Sequence, residues 1–448
     1  MPTGKRATDV TVAVTADPLA DALARVSADG DAWHDALGRM IAVDTSFPPG
    51  EGYGAFADLM EAVFGPLGFA FQRVEVPEAF WRAEGGQASG PRVNLIARRP
   101  TGRPICSLYY HVDTVPAGPG WTRPALAMTR EGDRLYGRGM ADMKGTIAAT
   151  LAALAAADRA GVELAYDPVL LFCTDEEGGL YPGVRHLAEQ GLIEGHVLCF
   201  NGGAAPRIWA GCFGSIDLAI RVRGRAAHSG EPGDGINAIE QALPILKALM
   251  ALKPEIERRV STLPSAPHLG GRPLHARLTI AAIQAGAKGS ALPGECAILL
   301  NRRYTPDESY ADVVAELERE VAEAARATRA LSVEASVVGH LAPVRDPDGG
   351  PHWPRWIEAL SAGFGWPRES FQRWGASSSS DMGFVQAAGH QDILLGGLVR
   401  PDSNAHAADE FTTVADVAAL ARSILVYLAA GDPAAARTRH SIRQGAPA

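Results

Sequence analysis

Five short segments of this 448-residue chain carry residue types that can bind a cation and move a proton. They are Tyr110–Pro116 (YHVDTVP), Gly137–Gly145 (GRGMADMKG), Cys173–Gly179 (CTDEEGG), Phe200–Gly203 (FNGG) and Ser403–Phe411 (SNAHAADEF). In His111-Val112-Asp113 the two-residue period of an extended segment puts the imidazole and the carboxylate on one face. The acid can then hold one ring N–H and leave the other nitrogen for a metal. Asp142 stands at a glycine-rich strand-to-helix junction, where capping the helix is the ordinary use of an Asp. Asp175, Glu176 and Glu177 are consecutive acids after an apolar run, and they repel one another unless solvent or a cation compensates them. One solution is a solvated acidic turn. The other is a cation held by one glutamate while its neighbour takes a proton from water. His406 lies in a polar loop with Asn404, Asp409 and Glu410, and alone it reads as an ordinary loop histidine. The set, in this order, points to metal-assisted hydrolysis.

The elements that must position these residues alternate between strand and helix. Ile105–Tyr110 reads as a buried strand and Met143–Ala160 as an Ala-rich helix. Val169–Cys173 is the next strand, with a helix near Val184–Gln190 and a short strand at Val197–Phe200. This rhythm predicts a mainly parallel sheet covered on both faces, with the polar clusters at the strand C-terminal ends. Near Ile208 the pattern changes. Ser215–Val222, Arg277–Ile283 and Ala297–Leu300 read as strands, and Ile236–Leu252 and Tyr310–Thr328 as helices, which together fit a small α+β unit. The β/α style resumes from about Ala335, with a strand at Ile393–Leu395 and a closing helix over Val414–Ala430. The expectation is an α/β domain in two parts, 1–207 and 329–432, interrupted by an inserted α+β domain, 208–328, and followed by a flexible tail, 433–448.

Composition narrows the partners. The chain has 42 basic and 51 acidic residues, a net charge of −9, which argues against nucleic acid or an anionic membrane surface. No stretch approaches the roughly 18 apolar residues of a membrane span. Asp9 and Asp17 interrupt what would be the apolar core of a signal peptide after Lys5 and Arg6. The five cysteines (Cys106, Cys173, Cys199, Cys212, Cys296) include no C-x-x-C pair and read as buried thiols of a cytoplasmic protein. Neither G-x-S-x-G nor H-E-x-x-H occurs, so two common hydrolase designs are absent.

In order and spacing, the H-x-D, G-R-G-x-x-D-x-K-G and D-E-E-G segments resemble the co-catalytic metallohydrolase family of aminoacylases, succinyl-diaminopimelate desuccinylases, carboxypeptidase G-type enzymes and carnosine-type dipeptidases. The resemblance runs from about Ala32 to Ala430. It implies that Asp142 bridges two metal ions, that Glu177 and His406 complete one site, and that His111 belongs to the other. Glu176 would be the general base and Asp113 would orient His111. Ala227-His228-Ser229-Gly230 and Gly235-Ile236-Asn237-Ala238 resemble the family's lid and dimerisation domain. That likeness implies a homodimer or higher homo-oligomer in which His228 reaches a neighbouring subunit's site and steadies a developing oxyanion. Asn301-Arg302-Arg303 resembles a family strand motif that makes Arg303 a residue for a substrate carboxylate. Asn237 is a further substrate-binding candidate.

One position departs from the pattern. Where the family carries an acidic ligand for its second site, this chain has Asn201, a neutral and weaker donor. The expectation is one firm site, Asp142–Glu177–His406, and a weak or empty second site at His111 and Asn201. The donors suit Zn²⁺, Mn²⁺ or Co²⁺ alike. The function expected is metal-dependent hydrolysis of a C–N bond in a small carboxylate-bearing molecule, of amidohydrolase, deacylase or peptidase type. Two alternatives stand beside it. One is an aminohydrolase releasing ammonia from an activated aromatic amine such as 5-nitroanthranilate, with the Ser377–Ser380 run supplying hydroxyl donors. The other is a non-catalytic binding relative.

Overall fold

The computed structural model describes residues 17–28, 30–82, 86–346 and 350–431. The tail expected at 433–448, and Lys5, Arg6 and Asp9, lie outside the described residues. The Ile105–His111 and Asp167–Cys173 strands are almost wholly apolar and buried, as a sheet covered on both faces requires. They lie at the centre of a six-stranded sheet in the order Ala70–Val76, Arg92–Arg98, Asp167–Cys173, Ile105–His111, His196–Cys199, Ile393–Leu395. Only Arg92–Arg98 runs against the others, pairing antiparallel on both sides, so the sheet is mainly parallel as expected.

Helices cover this sheet. Gly145–Ala160 is rich in alanine, which lets it bury nearly every side of its surface. It packs against Val414–Leu428, which in turn packs on Trp353–Phe364. The five cysteines are buried and free. No helix among the described residues is long and apolar enough to cross a membrane.

The inserted unit has its own sheet and its own core. Four antiparallel strands run in the order Arg277–Ala285, Glu295–Tyr304, Gly214–Arg223, Ser332–Leu341. Gly214–Arg223 and Glu295–Tyr304 alternate buried and half-buried residues, the pattern of a sheet covered on one face. That face packs under Ala238–Glu257 and Tyr310–Ala325 through Ile216, Leu218, Leu249, Ile298, Leu300 and Leu317.

The expected boundaries move at both ends of this unit. Ser332–Leu341 does not begin the second half of the catalytic domain; it pairs with the edge of Gly214–Arg223 from Ser332 opposite Arg223 to Leu341 opposite Ser215. The insertion therefore runs on past 328, to Leu341. At its start, Arg207–Cys212 belongs instead to a small sheet with Val344–Arg345 and Gln372–Ala376. Neither segment reads as a strand from the sequence alone, and the pairing decides which sheet each joins.

Candidate active site

The parallel strands deliver their C-terminal ends to one edge of the catalytic domain, where helices and loops begin. Ile105–His111 ends in His111 and leads to Asp113. Asp167–Cys173 leads to the three acids, and His196–Cys199 leads to Asn201. The three acids separate at once. Asp175 adopts a left-handed backbone (φ 61°) and turns its carboxylate to Arg92 Nε at 2.7 Å and Tyr53 Oη at 2.7 Å. Arg92 and Asp175 are both buried, so the pair neutralises one acid and anchors the loop. Glu176 and Glu177 are left to face the cavity.

Asp142 is not a helix cap. The Gly145–Ala160 helix starts without a side-chain cap, and the Asp142 carboxylate points to two imidazoles. Its Oδ1 lies 3.1 Å from His111 Nε2 and its Oδ2 lies 3.4 Å from His406 Nε2. His406 Nε2 is also 3.0 Å from Glu177 Oε2. Ligand atoms of His111, Asp142 and Glu177 lie within 4.8 Å of one another.

Two observations show that these residues fit a cation. The His111 Nδ1–H donates to the Asp113 carbonyl at 3.1 Å, so a neutral ring turns a bare Nε2 lone pair toward the Asp142 carboxylate. Two acceptors at that distance repel unless a proton or a metal lies between them. The second observation is that Glu177 Oε1 is buried without a hydrogen-bond partner, an expensive arrangement for a carboxylate oxygen.

The same contacts set the direction in which each group titrates. The bonds to Asp142 and Glu177 push the His406 pKa up to about 11. Burial opposes charge on His111, yet its bond to Asp142 and the charges of Glu176, Asp142 and Asp113 hold its pKa well above the usual value. Asp142 sits below the carboxylate range despite its burial, because both imidazoles bond to it. Burial raises Glu176 strongly and Glu177 less, and nearby acids add to both.

Asp113 departs in detail from its expected role. Its backbone carbonyl holds His111, with the carboxylate Oδ1 farther off at 3.7 Å. The carboxylate Oδ2 instead accepts the backbone N–H of Glu177 at 2.8 Å, tying the two loops together. Asn201 lines the cavity, but its Nδ2 donates to Glu176 Oε1 at 2.5 Å, since a buried carboxylate draws an amide N–H.

The inserted domain and the Ser377–Ser380 turn form the opposite wall of a cavity of about 390 Å³. Arg303 lines it and donates from Nη1 to Ser379 Oγ at 2.7 Å, while its neighbour Arg302 points to the other face and is buried against Glu308. Asn301 donates to Asp217 at 2.7 Å. His228 and Asn237 do not line this cavity. His228 is exposed on the Ala227–His228 strand, with Nδ1 accepting from Gly230 N at 3.1 Å, which leaves Nε2–H as its donor. Asn237 caps the Ala238–Glu257 helix, accepting from Ile239 N at 3.0 Å.

Several residues that build the site carried no assigned role in the sequence reading. Glu410 accepts from the backbone N–H groups of Gly139 (3.0 Å), Ala141 (2.9 Å) and Asp142 (3.1 Å), and from Arg138 Nη1 at 2.7 Å. It thereby clamps the Asp142 turn to the His406 loop. Asp381 is buried beside Glu176 and accepts from Tyr109 Oη at 2.5 Å. Arg92 opens an apolar strand and offers no local signal. Glu410 had one, an acid next to the histidine loop and directly before a strand.

Similar proteins agree with this fold. The family model described as peptidase family M20/M25/M40 matches residues 107–430. The succinyl-diaminopimelate desuccinylase of Acidiphilium cryptum is 32% identical over 339 residues, covering 73% of this chain and 83% of the relative. The protein of the same name from Xanthomonas campestris pv. campestris is 30% identical over 342 residues, covering 73% and 84%. Among solved structures, the fold is similar to that of the di-peptidase Dug1p from Saccharomyces cerevisiae. The TM-score is 0.77 at 14% identity, over 91% of this chain and 97% of that one. Human carnosine dipeptidase 1 gives a TM-score of 0.73 at 16% identity, over 91% and 99%.

Proposed function

We propose that this chain, which belongs to peptidase family M20/M25/M40 and is a metal-dependent hydrolase of C–N bonds, removes an acyl group from a small carboxylate-bearing amide, with Glu176 as general base. The observation that carries this reading is the single cavity in which Glu176 and the Asp142–Glu177–His406 cluster face Arg303. Desuccinylase relatives support amide deacylation over ring deamination.

A divalent cation held by Asp142, Glu177 and His406, with His111 beside them, would polarise the scissile carbonyl and acidify a water. The chain's own residues do the rest. Glu176 is buried and has a raised pKa, which suits it both to take a proton from the attacking water and to return one to the leaving nitrogen. Asn201 fixes the Glu176 carboxylate in that position. Arg303 aligns a substrate carboxylate by charge and by its planar fork. The water oxygen bonds to the carbonyl carbon, the C–N bond breaks, and the products are a carboxylate and an amine.

The same reading assigns one firm metal site and a weaker second one, because Asn201 brings no negative charge to His111. It also makes the working form a dimer through the inserted domain. Ile239, Leu243 and Met250 are exposed along one side of Ala238–Glu257, an apolar stripe that a second copy would cover. His228, displayed outside its own cavity with Nε2–H free to donate, would then serve its neighbour's cavity.

Glu176→Gln tests the reading. Hydrolysis of N-acyl amino acids should fall by about 10³-fold, within the range of general acid–base catalysis, while bound metal stays at the wild-type level. A near-normal rate would remove Glu176 from the base role. Ammonia release from amino-aromatics, with N-acyl amino acids and dipeptides inert, would replace deacylation by the aminohydrolase reading.

A further inference from the structure

Arg207 begins the strand that leads into the inserted domain, and it lines the same cavity as the metal cluster. Other deeply set arginines meet a carboxylate: Arg92 meets Asp175, Arg138 meets Glu410 and Arg302 meets Glu308. Arg207 meets none among the described residues. Its guanidinium makes one hydrogen bond, from Nε to the Trp374 carbonyl at 3.1 Å, and Nη2 is buried with no partner. The Trp374 ring lies 5.6 Å away, which is weak compensation. Asp217, an acid lining the same cavity, is already engaged by Asn301. Burial pushes the Arg207 pKa down to about 10, so the group still carries its charge at neutral pH.

An unpaired guanidinium set into a cavity wall is costly unless something from outside completes it. We infer that Arg207 is a specificity-determining residue that binds a carboxylate of the substrate additional to the one facing Arg303, so that the cavity selects small dicarboxylates. The inference rests on the deacylase reading for what is cleaved, but not for what is bound. Two guanidiniums facing a metal wall give a dicarboxylate a partner for each end, and their forks match carboxylate geometry.

The test is equilibrium binding to the metal-loaded full chain at pH 7, with glutarate and its monoamide, glutaramate, as probes. Wild type should bind glutarate at least about tenfold more tightly, as expected for a charged hydrogen-bonded pair. Arg207→Met should bring the two probes to within about twofold, and Arg207→Lys should keep part of the preference. Without ligand, Arg207→Met should melt at or above the wild-type temperature, because it removes an uncompensated buried charge, and it should lose the rise that glutarate induces. A purely structural Arg207 would instead lower the melting temperature and leave the preference intact. No preference in wild type, or a full one in Arg207→Met or Arg207→Lys, overturns the inference. Because both readouts are binding, a chain that binds glutarate this way but hydrolyses no amide would refute the deacylase reading and leave Arg207 in place.

Discussion

The two walls of the cavity are built in opposite ways. On the catalytic-domain wall, carboxylates and imidazoles crowd together at the ends of parallel strands, and each holds its place through other site residues. Asp113 ties the Glu177 loop to His111, Glu410 clamps the Asp142 turn, and Arg92 draws off Asp175. Around the rest of the cavity, single residues project from strands or turns of the inserted unit and of the small sheet that holds Arg207–Cys212, and Arg207 and Arg303 have no carboxylate partner among the described residues. The first wall has an excess of negative charge that a cation resolves, and the second has positive charge that an anion resolves. Under the proposed reading, chemistry and recognition fall on different parts of the cavity wall. Under that reading, a change at Arg303 or Arg207 would retune the substrate without disturbing the metal cluster.

That separation predicts two different kinds of failure, of which the larger belongs to the metal wall. Glu177→Gln removes a charged ligand and should weaken metal binding by more than the roughly 10–100-fold that loss of a supporting partner costs. Activity should follow metal occupancy, as read by dialysis and metal analysis. Arg303→Gln should leave metal affinity unchanged and raise KM about 10–100-fold, the worth of one charged hydrogen bond, with a smaller change in kcat. A loss of metal in Arg303→Gln would show that the walls are coupled.

The metal wall was legible in the sequence because its residues fall in contiguous runs directly after apolar strands, such as YHVD and FCTDEEG. What stayed hidden were the partners that lie far along the chain. Arg92 and Asp175 are separated by 83 residues, and nothing near Arg92 announces a buried ion pair. Glu410 and the Asp142 backbone are 268 residues apart. The recognition wall was harder still. Arg207 opens a short strand whose last four residues are all buried, and nothing in that run marks its first residue as facing a cavity. The insertion boundary was misplaced for a related reason. The β/α style reads as resuming from about Ala335, and nothing local says that Ser332–Leu341 pairs along Gly214–Arg223.

Asn201 sharpens the contrast from within the metal wall, at an intermediate magnitude. Its amide serves Glu176 and adds no charge beside His111. Asn201→Asp should bring a second ion within reach at micromolar free metal, raising bound metal from about one to about two per chain, since a carboxylate is the stronger donor. The new acid would repel Glu176 and raise its pKa while the second site is empty, and the second cation would reverse that shift, so the acid limb of the pH–rate profile should move to higher pH at low metal and return as the second ion binds. Titration by calorimetry and the acid limb of the rate profile check both. A wild-type chain that already holds two ions tightly would refute the role given to Asn201.

The smallest effect expected compares the acid stability of the two units. His196 in the central sheet has its pKa pushed down to about 3 by burial, with His352 and Arg355 adding to the effect, while its Nε2 meets Tyr427 Oη at 2.6 Å. His340 in the inserted sheet is lowered to about 4 by burial and by Arg185, with Nε2 at 3.0 Å from Tyr304 Oη. In both cases the folded pKa lies below the unfolded value of about 6.5, so the unfolded chain binds the proton first. Each histidine therefore contributes stability that is complete above about pH 6.5 and is lost as the pH falls toward 3 or 4, a difference on the order of 1–3 kcal/mol at the acid end. Buried acids with raised pKa values, Asp175 and Asp381 at about 7, act in the opposite sense, so the wild-type curve alone does not isolate the histidines. The pH dependence of a variant relative to wild type does. His196→Gln and His340→Gln should each lower the melting temperature less at pH 5 than at pH 7, by nearly equal free energies, because both folded pKa values lie below pH 5 and the unfolded value sets the narrowing. Equal destabilisation at both pH values would mean that these rings do not titrate between the folded and unfolded chains, and that neither unit is set by its histidine to fail first in acid.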